Sequence, residues 1–242
     1  LVDRSSKKAL SYLCQELHAV FLKGIMAKLV SAAKPKPMLV PGKGPATRQR
    51  LVESARYLFW ERGFAGTSMA DLLTHAKVNS GSFYHFFDSK EALLREVLEG
   101  YLVALRPMIV DPAYASTPKP IERIFAILAG YRERILMTDS QYGCPLGRLA
   151  LEIDPENRPA HKLIAENFHG WIGAVRECLD AAALPKNTDK EALATYVLAV
   201  MEGGVMLSRS YGSVEPFDRT VKALREHLKL LTRPGDSRSG KV

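Results

Sequence analysis

From Thr47 to Leu231 the apolar residues of this chain return every three or four positions, and no convincing strand-like alternation interrupts them. That pattern restricts the body of the chain to an all-α fold. The first stripe, from about Thr47 to Arg62, places Leu51, Val52, Ala55, Leu58 and Phe59 on one face, and Gly63 stands where a left-handed residue closes a helix. Ser68 and Asp71 have capping-box spacing, with Asp in place of the usual Glu, so a short helix begins after Thr67 and buries Met69, Leu72, Leu73 and Ala76. Three residues of turn follow, and a second short helix opens at Asn79 or Ser80 and sends Phe83 and Phe87 inward. Asp88-Ser89 caps a long helix carrying Leu93, Leu94, Val97, Leu98, Tyr101, Leu102 and Leu105, which Pro107 is expected to stop.

Five more helices are expected beyond it. Thr117-Pro118 starts one with Ile121, Ile124, Phe125, Leu128, Ile135 and Leu136 on its face, and Pro145 starts a shorter one that ends before Asp154-Pro155. Another runs from Glu156 through Trp171 to about Ala183. Thr188 and Glu191 have capping-box spacing for a long helix through Tyr196, Val200 and Leu207, and Phe217, Val221, Leu224, Leu228 and Leu231 mark the last. Glu202-Gly203-Gly204 is costly inside a helix, so the glycines are expected to admit a close neighbour, such as a partner chain's helix.

Composition adds exclusions. No apolar run approaches the eighteen or so residues that span a bilayer, so no membrane partner is expected. Three widely spaced cysteines, Cys14, Cys144 and Cys178, argue against a disulfide framework and for a reducing cytoplasm. His75, His161, His169 and His227 show no ligand spacing, so no metal or other cofactor is expected. The net charge of +8 is weak support for nucleic acid, because residues 1–45 carry eight Lys/Arg against two Asp/Glu and the rest is nearly balanced.

That basic leader and linker, residues 1–45, looks foreign to the body. A stripe from Leu10 to Leu29 ends in a Pro/Lys/Gly linker, and Glu16, His18, Lys23 and Lys28 break any secretory core. Met38 is a natural alternative start, so the leader is read either as incidental or as an extra docked helix. A polar tail, residues 236–242, closes the chain.

A short helix, a three-residue turn and a second short helix make the geometry by which a recognition helix enters the major groove. The second helix begins with Asn79, Ser80, Gly81 and Ser82, small enough to let its free N–H groups approach phosphates and bases. Tyr84 and His85 lie one turn on, able to donate to phosphate, and Lys90 opens the next helix as a point charge. Gly63-Phe64, Thr67-Ser68, Asn79 to Ser82, Phe83-Tyr84 and Ser89-Lys90-Glu91 together resemble the N-terminal domain of the TetR family of bacterial transcriptional regulators.

The resemblance is close over residues 47–93 and architectural beyond. It implies a helix-turn-helix DNA-binding domain at 46–92 and a larger helical domain at 93–235 that binds a small apolar effector and forms a homodimer. Tyr84 and Lys90 would touch phosphates of operator double-stranded DNA, with Ser80, Ser82 and His85 on the groove side. Thr67 and Ser68 complete the candidate set. One departure stands in the turn, where the family usually has Gly and this chain has Lys77.

The helices at about 188–211 and 216–232 would pair with their symmetry mates, Leu224 and Leu228 among the contacts. Gly143-Cys144-Pro145-Leu146-Gly147-Arg148-Leu149-Ala150 resembles a motif near the effector pocket in several branches of the family, and a cysteine before a helix start could have a lowered pKa. Candidate effector contacts are Tyr131, Cys144, Phe168, Trp171, Tyr196 and Met201. The family mostly represses, so repression relieved by a small molecule is the leading expectation. An all-α enzyme on a regulator-like scaffold is the rival, against which no P-loop, nucleophile motif or carboxylate constellation stands. A regulator triggered by a protein partner is a third reading.

Overall fold

The computed structural model describes residues 43–232 as ten α-helices. The leader stripe, Met38 and the tail lie outside the described residues. α1 (Lys43–Arg62) starts four residues earlier than its stripe, inside the Pro/Gly linker, because Pro45 falls in the first turn where a missing N–H costs no intrahelical bond. It ends at Gly63, whose φ of +85° suits glycine. α2 (Met69–Ala76), α3 (Ser80–Phe86) and α4 (Lys90–Leu105) follow.

Pro107 does not stop the chain. α4 widens into a π turn, Arg106–Val110, that leads straight into α5 (Asp111–Ser116). Proline offers no N–H and crowds the preceding turn, so the ladder lengthens by one residue and the Asp111 N–H reaches the Arg106 carbonyl.

α6 (Pro120–Met137), α7 (Pro145–Glu152), α8 (Arg158–Asp180), α9 (Lys190–Tyr211) and α10 (Glu215–Thr232) complete the body. Three expectations shift here. α6 begins after Thr117-Pro118, and Leu136 on its last turn is half exposed. α8 is shorter than its stripe at both ends. The cap of α9 is Asp189, whose carboxylate accepts from the Ala192 N–H, so Thr188 is not the capping residue.

Two cores form. The first joins α1–α4 through Leu51, Phe59, Leu72, Phe83, Leu94 and Leu98, and it takes in Leu149 of α7 and Ile164 of α8. The second joins α6, α8, α9 and α10 through Ile124, Leu128, Trp171, Val197, Leu224 and Leu228. Each such fully buried side chain contributes about 1.5–3 kcal/mol. Leu224 and Leu228 are fully buried within this one chain, so they are core residues and not the outer face expected of them. The close neighbour that Gly204 admits is also internal: a Cβ there would lie 2.9 Å from Phe217 and 2.8 Å from Thr220, both on α10.

α9 also corrects the membrane reading. By length and mean hydropathy it is apolar enough to cross a bilayer. Its buried face, Leu193, Ala194, Val197, Leu198, Met201 and Val205, is spent on the second core.

Candidate nucleic-acid interface and effector cavity

The turn between α2 and α3 takes the form the sequence requires. The Ser68–Asp71 capping box is complete, and Ser68 holds the Asp71 carboxyl below its usual range by donating to it from both hydroxyl and backbone. Lys77 adopts φ 54°, ψ 50°, the left-handed conformation a glycine would take more freely, at a cost of roughly 1 kcal/mol. Its N–H and that of Val78 return to the Thr74 and Leu73 carbonyls, which closes α2. Asn79 then caps α3, its side-chain oxygen 2.8 Å from the Ser82 N–H.

α3 presents a clear face. Phe83 is fully buried and fixes the helix on the core, while Asn79, Ser80, Gly81, Tyr84 and His85 are exposed and Ser82 is half-buried. Tyr84 is 59% exposed and braced edge-on by Phe83. Exposed Thr74 and Lys77 flank this face.

Two candidates are placed differently from expectation. Thr67 is fully buried, and its hydroxyl donates to the Gly63 carbonyl at 2.7 Å, so this side chain braces the α1–α2 loop internally. Lys90 is half-buried, with Nζ 2.9 Å from both the Phe64 and the Thr67 carbonyl and 4.1 Å above the Phe64 ring. Two of its three donors thus pin that loop, and burial lowers its pKa. Lys90 is a structural tie as well as a cation.

The second candidate region is a cavity of about 230 Å³ among α1, α4, α6, α7, α8 and α9. Tyr131, Cys144, Phe168, Trp171 and Met201 all line it. Tyr196 does not: it is half exposed on the outer side of α9, its ring against His227 of α10. Trp171 and Tyr196 are both aromatic and helical, and only the face each occupies separates them.

The lining includes charged residues the sequence reading left out: Arg56, Arg134 and Glu202. Burial pushes the Glu202 carboxyl up, with the Cys144 thiol beside it opposing. Burial, reinforced by that carboxylate, drives the Cys144 thiol well above its usual value. Position before a helix start therefore does not activate this cysteine. Desolvation outweighs two favourable backbone N–H contacts.

α7 joins the two regions. Its first turn, Cys144 to Leu146, lines the cavity. One and two turns on, Arg148 and Glu152 grip the end of α1. Arg148 Nη1 donates to the Glu61 carbonyl at 3.0 Å and Nη2 to the Arg62 carbonyl at 2.6 Å, while Nε pairs with Glu152. Glu152 Oε2 accepts from the Phe64 N–H at 2.8 Å. Just before α7, the Gly143 carbonyl accepts from Trp60 Nε1 at 2.8 Å. A helix C-terminus leaves carbonyls without partners, and here a guanidinium satisfies them. The i, i+4 spacing of Arg148 and Glu152 was visible in the sequence, but nothing there named their partner.

Comparison with known proteins agrees with this architecture. The family model described as bacterial regulatory proteins, tetR family, matches residues 51–97, and that of the LmrA/YxaF-like transcriptional regulator C-terminal domain matches residues 120–223. An HTH-type transcriptional regulator of Mycobacterium tuberculosis is 30% identical over 202 residues, covering 81% of this chain and 100% of that one. The transcriptional repressor DhaR of Mycobacterium sp. (strain GP1) is 26% identical over 185 residues, 75% of this chain and 91% of DhaR. A TetR regulator from Chloroflexus aurantiacus superposes with a TM-score of 0.69 at 24% identity, covering 80% of this chain and 99% of that one, which shows the shared fold. With both family regions matched and a full-length relative at this identity, the chain belongs to the TetR family of bacterial transcriptional regulators.

Proposed function

We propose that this protein is a homodimeric repressor that reads operator DNA through α3 and is released from it by a small apolar molecule in the cavity. The observation that carries the proposal is α7, one end of which lines the cavity while the other holds the last carbonyls of α1. A ligand that shifts Cys144 to Leu146 would move the support of the DNA-reading domain. DNA and ligand would then oppose each other by one reciprocal coupling energy. The name of DhaR, a repressor, supports the direction of control. A family regulator of this kind works in the cytoplasm.

Dimer formation is supported by an uncovered apolar face on α9, where Tyr196, Leu207 and Tyr211 are exposed and Gly203 faces open space. A symmetric pair through that face would set two α3 helices about 34–36 Å apart, or a multiple, to match successive major grooves. In this proposal Tyr84, His85 and Lys90 meet phosphates and Asn79, Ser80, Gly81 and Ser82 approach the groove, while Ser68 holds the helix start.

Fluorescence anisotropy with the intergenic DNA beside the gene tests this. The protein should prefer one inverted repeat there over scrambled DNA. Tyr84→Phe should weaken binding to all sequences alike, by about 1.5–3 kcal/mol for one hydrogen bond to a charged phosphate, without altering the melting temperature. Equal affinity for all DNA would sink the repressor reading, and an unchanged affinity in Tyr84→Phe would take Tyr84 off the phosphate backbone.

A further inference from the structure

Among the described residues, three buried side-chain atoms have no hydrogen-bond partner: Glu202 Oε1, Trp171 Nε1 and Arg56 Nε. All three residues line the one cavity. Glu202 and Trp171 flank the same ring, that of Tyr131. Its centroid lies 6.3 Å from that of Trp171, and the Trp171 indole and the Glu202 carboxylate both act on its phenol without Nε1 or Oε1 reaching full hydrogen-bond geometry there. Unpaired buried donors and acceptors are rare in native proteins, and three of them on residues that line one apolar hollow form an arrangement that a ligand completes.

The Glu202 carboxylate has a built-in place. A Cβ on Gly147 would stand 2.5 Å from its Oε2, so the absence of a side chain on α7 admits it. Among the described residues no cation pairs with it, for burial and the Cys144 thiol are what act on it.

The polar inventory selects the ligand. An ammonium group donates only, so it would leave the indole N–H unanswered, and it would meet two guanidinium groups, Arg56 and Arg134, in the same lining. A carboxylate or an ether accepts only, which leaves Glu202 without a donor. A hydroxyl does both.

We propose that the cavity takes a small aromatic molecule bearing a hydroxyl, which donates to Glu202 Oε1 and accepts from Trp171 Nε1–H while the rings lie among Tyr131, Phe168 and Met201. Arg56 Nε–H is left to receive a second acceptor on a larger ligand. This inference rests on the reading of the cavity as the effector site, and it names the effector's chemistry.

Calorimetric titration of the full chain with four probes tests it: 2-naphthol, 2-methoxynaphthalene, 2-naphthoate and naphthalen-2-ylmethylammonium. 2-Naphthol should bind at least about tenfold tighter than each of the others, the ratio one hydrogen bond to a charged group sets. Glu202→Leu should remove most of the preference over the ether, whereas Trp171→Phe should weaken 2-naphthol and the ether alike. If one variant fails to fold, the other and the wild-type series still decide.

An ether that binds as tightly as the phenol, an ammonium that binds tightest, no heat from 2-naphthol at millimolar concentration, an intact preference over the ether in Glu202→Leu, or 2-naphthol affinity unmoved in Trp171→Phe would each overturn the proposal. Operator anisotropy with the same probes separates this from the repressor reading. Release of DNA without hydroxyl preference leaves that reading standing and defeats the ligand chemistry. Hydroxyl preference with operator affinity unmoved supports the ligand chemistry and defeats effector release.

Discussion

Replacing Arg148 with alanine removes the guanidinium that closes α1. Hydrogen bonds to three backbone carbonyls are lost, a long one at 3.5 Å and two at 3.0 and 2.6 Å, together with the pairing to Glu152. Hydrogen bonds involving a charged group contribute about 1.5–3 kcal/mol each. The Arg148 side chain keeps 22% of its exposure, so water recovers part of the loss, and about 2–4 kcal/mol is the expected cost. At about 2–4 °C per kcal/mol for a chain of this size, that lowers the calorimetric melting temperature by roughly 4–16 °C. Arg148→Lys should recover only part of it, because a shorter side chain with one nitrogen cannot replace the three separate guanidinium nitrogens that meet the Glu61 carbonyl, the Arg62 carbonyl and Glu152. Hydrogen exchange locates the loss. The Phe64 amide, which donates to Glu152, should exchange faster in Arg148→Ala once Glu152 is freed. A melting temperature within a degree of wild type, with Phe64 protection unchanged, would show that α7 merely touches the DNA-binding domain.

Two further predictions concern assembly and pH. Leu207→Glu, on the uncovered face of α9, should yield a folded monomer by light scattering, whereas Leu224→Arg should unfold the chain because it buries a charge without a partner; a dimeric Leu207→Glu variant would place the interface elsewhere. Burial lowers the His75 pKa, and its Nδ1 lies 2.9 Å from the Ser54 hydroxyl. The unfolded chain therefore binds a proton that the folded one refuses. The stability this histidine contributes is complete above its ordinary value near 6.5 and declines as pH falls below it. Denaturant midpoints should drop less on acidification in His75→Asn than in wild type, and identical profiles would dismiss the effect.

What could be read from the sequence was local. Gly63, the Ser68–Asp71 box, the Lys77 turn and the Asn79 cap are each set by residues within five positions of one another, and each stands as its chemistry requires. Pro107 misled because a proline inside a helix can be met by a widened turn as well as by a stop. Apolar stripes told which residues face inward but not what covers them. Leu224 pointed to a partner chain and met its own core, and Tyr196 was grouped with Trp171 although the two occupy opposite situations. Thr67 and Lys90 carry groups able to meet DNA, yet both bond to carbonyls of the α1–α2 loop. The contact of Arg148 with Glu61 spans 87 residues, a distance over which no pattern in a single sequence speaks.

Gly63 carries a consequence for the making of hybrid regulators. A Cβ at this position would stand 2.2 Å from the Glu152 carboxylate oxygens, and the backbone already has a positive φ. The residue that ends the first helix of the DNA-reading head is thus fitted to a side chain that belongs to the sensing body. Exchanging heads between family members at a junction near residue 93 separates Gly63 from Arg148 and Glu152. A foreign head with any other residue at 63, or a foreign body without the Arg-Glu pair, would leave a clash or an open seam. Grafts that carry all three positions together keep the joint, so the transferable unit of specificity is a head together with two residues from far down the chain.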